Sequence, residues 1–240
     1  MAQTIWRIEA EPKRRAIADQ VIEESGLAAE SLIVVLDDSD YEDYPNPRYS
    51  EDIAWYMNIR SGQLEEMSPE HMLEIMDPPR CDHLIWVSKR VAVGSCLRLV
   101  WVLAHELRHL KQEIEHPELS TTNLLIKRLS NQLPLKSKYQ FGDPAELDAE
   151  WFANQMLVKF FGSDALTAFI DEECQRDEKA TPYYQELSAL LTDYCDDWAS
   201  QTKKLLCENR NIIEQSCKDN VVSSIDWCKL CGSTKGRSET

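Results

Sequence analysis

The sequence predicts an α+β protein, mostly helical, in which a small N-terminal sheet is followed by a buried helix, a second long helix and a helical carboxyl-terminal region. Three observations carry that prediction. Leu, Ala, Glu and Lys dominate the long stretches, and these side chains lose little freedom on entering a helix. The aliphatic and β-branched runs that could be strands are short and lie in the amino-terminal part of the chain. Seven glycines in 240 residues are few for the tight turns of a sheet-rich sandwich or barrel. A chain of that length holds one large domain or a domain with an appendage, expected here as residues 1–200 and a carboxyl-terminal extension over 201–240.

Taken in order, Ala16, Ile17, Val21 and Ile22 have helical spacing within Glu11–Ala29, and Gly26 supplies a stop. Ser31–Leu36 is a short apolar run, expected as a buried strand that leads into Asp37-Asp38-Ser39-Asp40. That acidic cluster lacks the Gly and the terminal Glu of a calcium loop, so a solvated turn is expected. Pro45 and Pro47 place Tyr41–Arg48 in a loop. Ile53, Trp55, Met57 and Ile59 alternate as in a half-buried strand that stops at Ser61-Gly62. Ser68-Pro69-Glu70 opens a short helix to Met76. His83–Val93, centred on Leu84-Ile85-Trp86-Val87, is expected as another strand. Gly94-Ser95 then leads into a helix from about Cys96 to Glu115, ended before Pro117. A strand just ahead of that helix could hold an extended peptide if it formed a sheet edge.

Inside that helix lies Val102–Leu110, with His105-Glu106-Leu107-Arg108-His109 at its centre. At 3.6 residues per turn His105 and His109 stand one above the other on one face, the spacing at which two imidazoles bind one metal ion. Glu106 sits beside that face. In the chemistry this pattern serves, zinc lowers the pKa of a water and polarises a carbonyl while the glutamate takes the water's proton. The plainer alternative is a helix surface with Glu106 paired to Arg108 or Lys111. Two of only five histidines at this spacing, with Glu between them and aliphatic residues before them, favour the metal.

Asp143–Ala153 opens the next long helix, with Asp143 as cap and Pro144 in the first turn. Glu146 at the third helical position is either the capping-box partner of Asp143 or the third ligand of a His, His, Glu centre with an open fourth position. Glu150, one turn on, would accept a hydrogen bond from a ligand histidine and fix its ring. His116 is the competing third ligand, although helix geometry turns it off the face shared by His105 and His109. Tyr139, Tyr183 and Tyr184 are candidates to donate to a developing oxyanion, and their spacing selects none of them.

The HExxH sequence, followed by Glu146-Leu147-Asp148-Ala149-Glu150-Trp151-Phe152-Ala153, resembles the gluzincin zinc metallopeptidases, most specifically the ImmA/IrrE-like group found with phage and stress-response repressors. The resemblance covers roughly Arg98 to Phe161. It implies that His105, His109 and Glu146 hold zinc, that Glu106 is the catalytic base, and that Ala149, Phe152 and Ala153 pack around the glutamate ligand. Glu150 stands where that group often has Asn and other gluzincins have Asp. The resemblance further implies a zincin-like fold, with the sheet packed on the active-site helix and the glutamate helix. The activity it implies is a zinc-dependent endopeptidase that cuts a specific intracellular protein, a transcriptional repressor being one candidate. Two other functions would use the same residues: a regulatory or interaction protein that keeps a gluzincin core without turnover, and an intracellular toxin or effector protease with one target.

The formal net charge of −16 argues against direct binding to nucleic acid, whose affinity comes largely from Lys and Arg on phosphates. Met1–Glu11 has no basic flank ahead of a long apolar core, and no apolar stretch reaches membrane-spanning length. Neither a secretory signal nor a membrane partner is therefore expected, and the eight cysteines are expected as reduced thiols in a cytoplasmic protein. Ser120–Gly142 contains no acidic residue but carries Lys127, Arg128, Lys136 and Lys138. It is either a helix Asn123–Leu133 with a solvated basic face or a rim or lid that attracts an acidic substrate.

Beyond Gly162, helices are expected over Asp164–Glu178 and from Pro182 to about Cys217. Their acidic clusters form a solvated face or a docking surface for a basic partner. Trp227-Cys228-Lys229-Leu230-Cys231-Gly232 is half of a zinc knuckle. A second, structural zinc would use Cys228 and Cys231 with Cys207 and Cys217, which lack knuckle spacing, so a flexible tail with two free thiols is preferred. Ser233–Thr240 is polar and expected to be disordered.

Overall fold

A computed structural model describes residues 1–38, 54–59, 81–216 and 227–231 of the chain. The expected loop Tyr41–Arg48, the stop at Ser61-Gly62, the helix Ser68–Met76 and the tail Ser233–Thr240 lie outside the described residues. Within them the protein is α+β and mostly helical, with a small sheet near the amino terminus. No described helix is long and apolar enough to cross a membrane.

The sheet contains β1 (Gln3–Trp6), β2 (Leu32–Leu36), β3 (Ala54–Asn58) and β4 (His83–Val87), in the order β1-β2-β4-β3. Strands β1, β2 and β4 run parallel, and β3 is antiparallel to β4. A continuous aliphatic run is what a strand covered on both faces requires, and β2 is buried throughout. In β3 the alternation holds as predicted: Trp55 and Met57 are buried while their neighbours are partly exposed. Trp55 lies opposite Trp86 in the register, and the two rings stack with centroids 5.9 Å apart.

Two strand expectations change. The strand begun at His83 ends at Val87 rather than Val93, because its neighbours Leu36 and Ala54 are paired no further and α2 (Lys89–Ala92) takes over with Val91 and Ala92 buried. That strand is also no edge, since β4 lies between β2 and β3; among the described residues the outer strands are β1 and β3. The acidic turn is not simply solvated either. Asp37 is fully buried, where Trp86 Nε1 donates to Oδ2 at 2.9 Å, the Asp38 N–H donates to Oδ1 at 2.8 Å, and Arg7 approaches at 3.6 Å.

Helix α1 (Pro12–Glu24) buries Ile17, Ala18, Val21 and Ile22 on one face, and Gly26 at φ 80° ends it in the left-handed conformation that glycine tolerates. Helix α3 (Cys96–Glu115) matches the predicted bounds. A 3₁₀ turn, Pro117–Leu119, then leads into α4 (Ser120–Arg128), which starts and ends earlier than predicted. Pro134 forbids helical continuation to Leu133 and beyond, so the chain leaves α4 in turns that still bury Leu129 and Leu133. Helices α5 (Pro144–Phe161) and α6 (Ala165–Arg176) follow. The single helix predicted from Pro182 to Cys217 is instead α7 (Thr181–Thr192), α8 (Trp198–Glu208) and α9 (Arg210–Ser216). Asp and Asn compete for backbone partners and favour breaks. Asp193, Asp196 and Asp197 occupy the first gap, and Asn209, whose side chain donates to the Leu205 carbonyl at 2.8 Å, occupies the second.

By compactness the chain forms two units. The first comprises Met1–Lys111 with Ala149–Gln185, and the second Gln112–Asp148 with Glu186–Thr240, so residue 200 falls inside the second. In the first unit Ile33, Val35, Trp55, Met57, Leu84 and Trp86 form a cluster on the sheet. In the second, Leu125, Ile126, Leu129, Ala145, Trp198 and Leu206 pack with Trp227 and Leu230 of α10 (Trp227–Cys231).

That packing overturns the expectation of free thiols at the carboxyl terminus. Trp227 and Leu230 seat α10 against Leu206, which brings Cys231 to Cys207, and the two form a disulfide with Cα atoms 5.8 Å apart. A sulfur in that bond is no thiolate, so Cys231 cannot join Cys228 as a zinc ligand while the bond is intact. Cys81, Cys96, Cys174 and Cys195 are free thiols as predicted. The disulfide closes a loop with a sequence separation of 24, a length for which chain-entropy arguments give about 3 kcal/mol. Cys207→Ser is expected to lower the unfolding free energy by about that amount in denaturant titration. Thiol counts before and after reduction should differ by the bonded pair; equal counts would remove the bond from the account.

Candidate metal centre

Helix α3 is buried around nearly its whole circumference. Leu99, Val100, Leu103, Ala104, Leu107 and Leu110 have no exposed surface, which explains why the sequence there is close to continuously apolar. Between Arg98 and Leu110 every residue is buried except His105 and His109, which are half-buried. Over that stretch the helix turns only its two imidazoles toward solvent, while in its last turn Ile114 and Glu115 are exposed. Their Nε2 atoms face each other at 3.0 Å, with the rings edge to face at 85° and centroids 4.7 Å apart. Glu106 follows His105 by about 100° around the helix and keeps 9% of its surface exposed.

The start of α5 is fixed by a separate set of contacts. A Cβ on Gly142 would come within 2.3 Å of the Ser137 carbonyl oxygen, so only glycine lets the chain approach this closely before the helix. Asp143 Oδ1 accepts from the Ala145 N–H at 2.9 Å, the predicted cap. The Asp143 N–H donates to the Gln140 carbonyl at 3.0 Å, which leaves Glu146 out of a capping box. Glu146 keeps only 4% of its surface exposed, and Lys127 Nζ stands 2.8 Å from its Oε1. Two residues further on, Asp148 is fully buried and accepts from Gln112 Nε2 at 2.6 Å and from the Tyr194 hydroxyl at 2.9 Å. The same Gln112 nitrogen donates to the Ala145 carbonyl at 2.8 Å. Two neighbours of Glu146 are thus tied down by one glutamine.

His105, His109 and Glu146 each offer one possible ligand atom. They are the group among the described residues that could hold a metal ion. The donor set fits zinc. Two imidazole nitrogens and one carboxylate oxygen suit a tetrahedral ion that keeps a fourth position open, and nitrogens about 2.0–2.1 Å from such an ion sit about 3.3 Å apart, close to the 3.0 Å between the two Nε2 atoms. His116 belongs elsewhere: its Nδ1 is 3.4 Å from Glu118 Oε1 and its ring meets Trp198 edge to face.

Glu150 lies beside His105. Its Oε1 is 3.8 Å from His105 Nδ1, longer than a direct hydrogen bond, and accepts from the Tyr183 hydroxyl at 3.0 Å. The Tyr184 hydroxyl donates to Glu173 Oε2 at 3.0 Å. Two of the three tyrosines considered as oxyanion donors, Tyr183 and Tyr184, therefore have their hydroxyls engaged by buried carboxylates. Glu173 also meets Arg98 at 3.7 Å and Arg176. This ion group, in which Arg98 and Glu173 are buried and Arg176 is exposed, had no sequence signal, since the three form no motif with each other. Burial, with the Glu150 charge adding to it, pushes the Tyr184 phenol up to about 12.

Comparisons with protein-family models, with curated proteins and with solved structures returned no match for the chain.

Gln112→Leu is expected to destabilise the protein by about 2 kcal/mol, because it takes a donor from two acceptors in buried surroundings; thermal unfolding measures it. Tyr184 binds its proton more tightly in the folded state than the ordinary phenol does, so its contribution is complete below about pH 10 and is lost as pH rises toward 12. Tyr184→Phe should flatten the decline of stability across that interval, and an unchanged slope would contradict the assignment.

Proposed function

We propose that this chain is a zinc-dependent endopeptidase of the gluzincin kind, similar to the ImmA/IrrE-like group, acting on a specific protein inside the cell. His105, His109 and Glu146 would hold the ion, and Glu106 would be the catalytic base. The observation that carries the reading is the pair of half-buried imidazoles in an otherwise buried stretch of helix, with their Nε2 atoms 3.0 Å apart. A structural zinc site is normally closed by four protein ligands, whereas three leave room for a reacting molecule.

Bound zinc would supply Lewis acidity toward a peptide carbonyl and a water molecule. The chain supplies the rest. Glu106 takes the proton from the attacking water and delivers it to the departing amine, a role that needs a carboxylate next to the ligand pair and serves no purpose in a purely structural site. Glu150 presents its carboxylate to the Nδ1 side of His105, which favours the tautomer that leaves Nε2 free to bind, and the Tyr183 hydroxyl holds that carboxylate in place. The His, His, Glu donor set favours zinc over the oxygen-only preferences of magnesium and calcium.

Mass spectrometry of bound metals should find one zinc per chain in the wild type and a reduced content in Glu146→Ala. Glu106→Gln should keep the zinc and lose about 10²–10⁴-fold in turnover, while Glu150→Gln should weaken zinc about 10–100-fold. Absence of zinc from the wild type after reconstitution would sink the peptidase reading.

A further inference from the structure

The contact between Lys127 and Glu146 bears on how the centre takes up its metal. We infer that Lys127 is a built-in competitor for the ion: its ammonium meets Oε1 of Glu146 and would have to give way when a cation binds there. This inference rests on the reading of His105, His109 and Glu146 as a metal centre and concerns the regulation of that centre.

The two partners of this ion pair are unequal. Lys127 Nζ lies 2.8 Å from Glu146 Oε1, yet 56% of the lysine side chain is exposed against 6% of the glutamate side chain. Glu146 is held at the start of α5 by the Asp143 cap and by the Gln112 contacts to Ala145 and Asp148, so its carboxylate has little room to leave. Lys127 is at the end of α4, on a long flexible stem that regains water as soon as it swings away. The lysine is therefore the partner that moves. An ammonium and a divalent cation also repel each other over the few ångströms that separate the oxygens of one carboxylate.

A lysine that fixed the carboxylate for the metal would act in the opposite direction, because its removal would weaken the ion. The sign of the effect therefore separates the two roles. A charge-assisted hydrogen bond to a buried carboxylate is stronger than an exposed ion pair, and losing the competitor is expected to tighten zinc about tenfold.

The test is zinc affinity of the full chain, stripped of metal and titrated with Zn²⁺ against a chromophoric chelator, for wild type, Lys127→Met, Lys127→Arg and His109→Ala. Lys127→Met should bind about tenfold more tightly, and Lys127→Arg, which keeps the charge, should stay near wild type. A misfolded variant would lose affinity, so damage to the fold cannot imitate the expected gain. Unchanged or weaker binding by Lys127→Met, or equal tightening by Lys127→Arg, would overturn the inference while leaving the metal centre intact. Wild-type binding no tighter than that of His109→Ala would overturn the metal centre itself, and the role of Lys127 with it.

Discussion

A carboxylate removed from water has to be given a partner, and the start of α5 is organised by that requirement. Asp143, Glu146, Asp148 and Glu150 are all buried, a concentration of negative charge at a helix N-terminus, where the macrodipole favours it. Each is met by a different chemistry. Asp143 caps its own helix, Asp148 is fixed by a glutamine and a tyrosine, Glu150 by a tyrosine and a histidine, and Glu146 by a lysine. The difference among those partners separates structure from chemistry. Gln112 and Tyr194 donate to Asp148, whereas Glu146 meets the ammonium of a lysine whose side chain is largely exposed.

The same logic applies to α3. Between Arg98 and Leu110 that helix is buried almost all round, and only two side chains there stay partly open to water. His105 and His109 are those side chains, one turn apart, with their Nε2 atoms directed at each other. Tyr183 and Tyr184 illustrate how neighbouring, chemically identical groups are assigned different tasks by their surroundings. One hydroxyl steadies Glu150 beside His105. The other closes an ion group around Glu173, in surroundings that keep its phenol neutral to about pH 12.

Within the second unit, the disulfide and the approach to Glu146 share one apolar cluster. Ala145, adjacent to Glu146, packs in the same cluster as Trp227 and Leu230, which the Cys207–Cys231 bond pins beside Leu206. Arg210 lies over the Trp227 ring at 5.1 Å and covers its outer face. The cysteine pair thus contributes through packing and chain entropy.

The helix Cys96–Glu115, the capped helix beginning at Pro144, the buried strand Leu32–Leu36 and the spacing of His105 and His109 were all legible in the sequence, because each is set by local periodicity, caps and stops. Candidate roles for Glu146 and Glu150 were legible too, though not the engagement of the Asp143 N–H by the Gln140 carbonyl. Other features required the fold. The position of β4 inside the sheet is a matter of strand order, which no local pattern encodes. The breaks that divide the carboxyl-terminal helical region, the Cys207–Cys231 bond, and the contacts of Lys127 with Glu146, Gln112 with Asp148 and Tyr183 with Glu150 join residues far apart in sequence. Periodicity decides which face of a helix is apolar, but only packing decides which distant polar group that face brings to a buried charge.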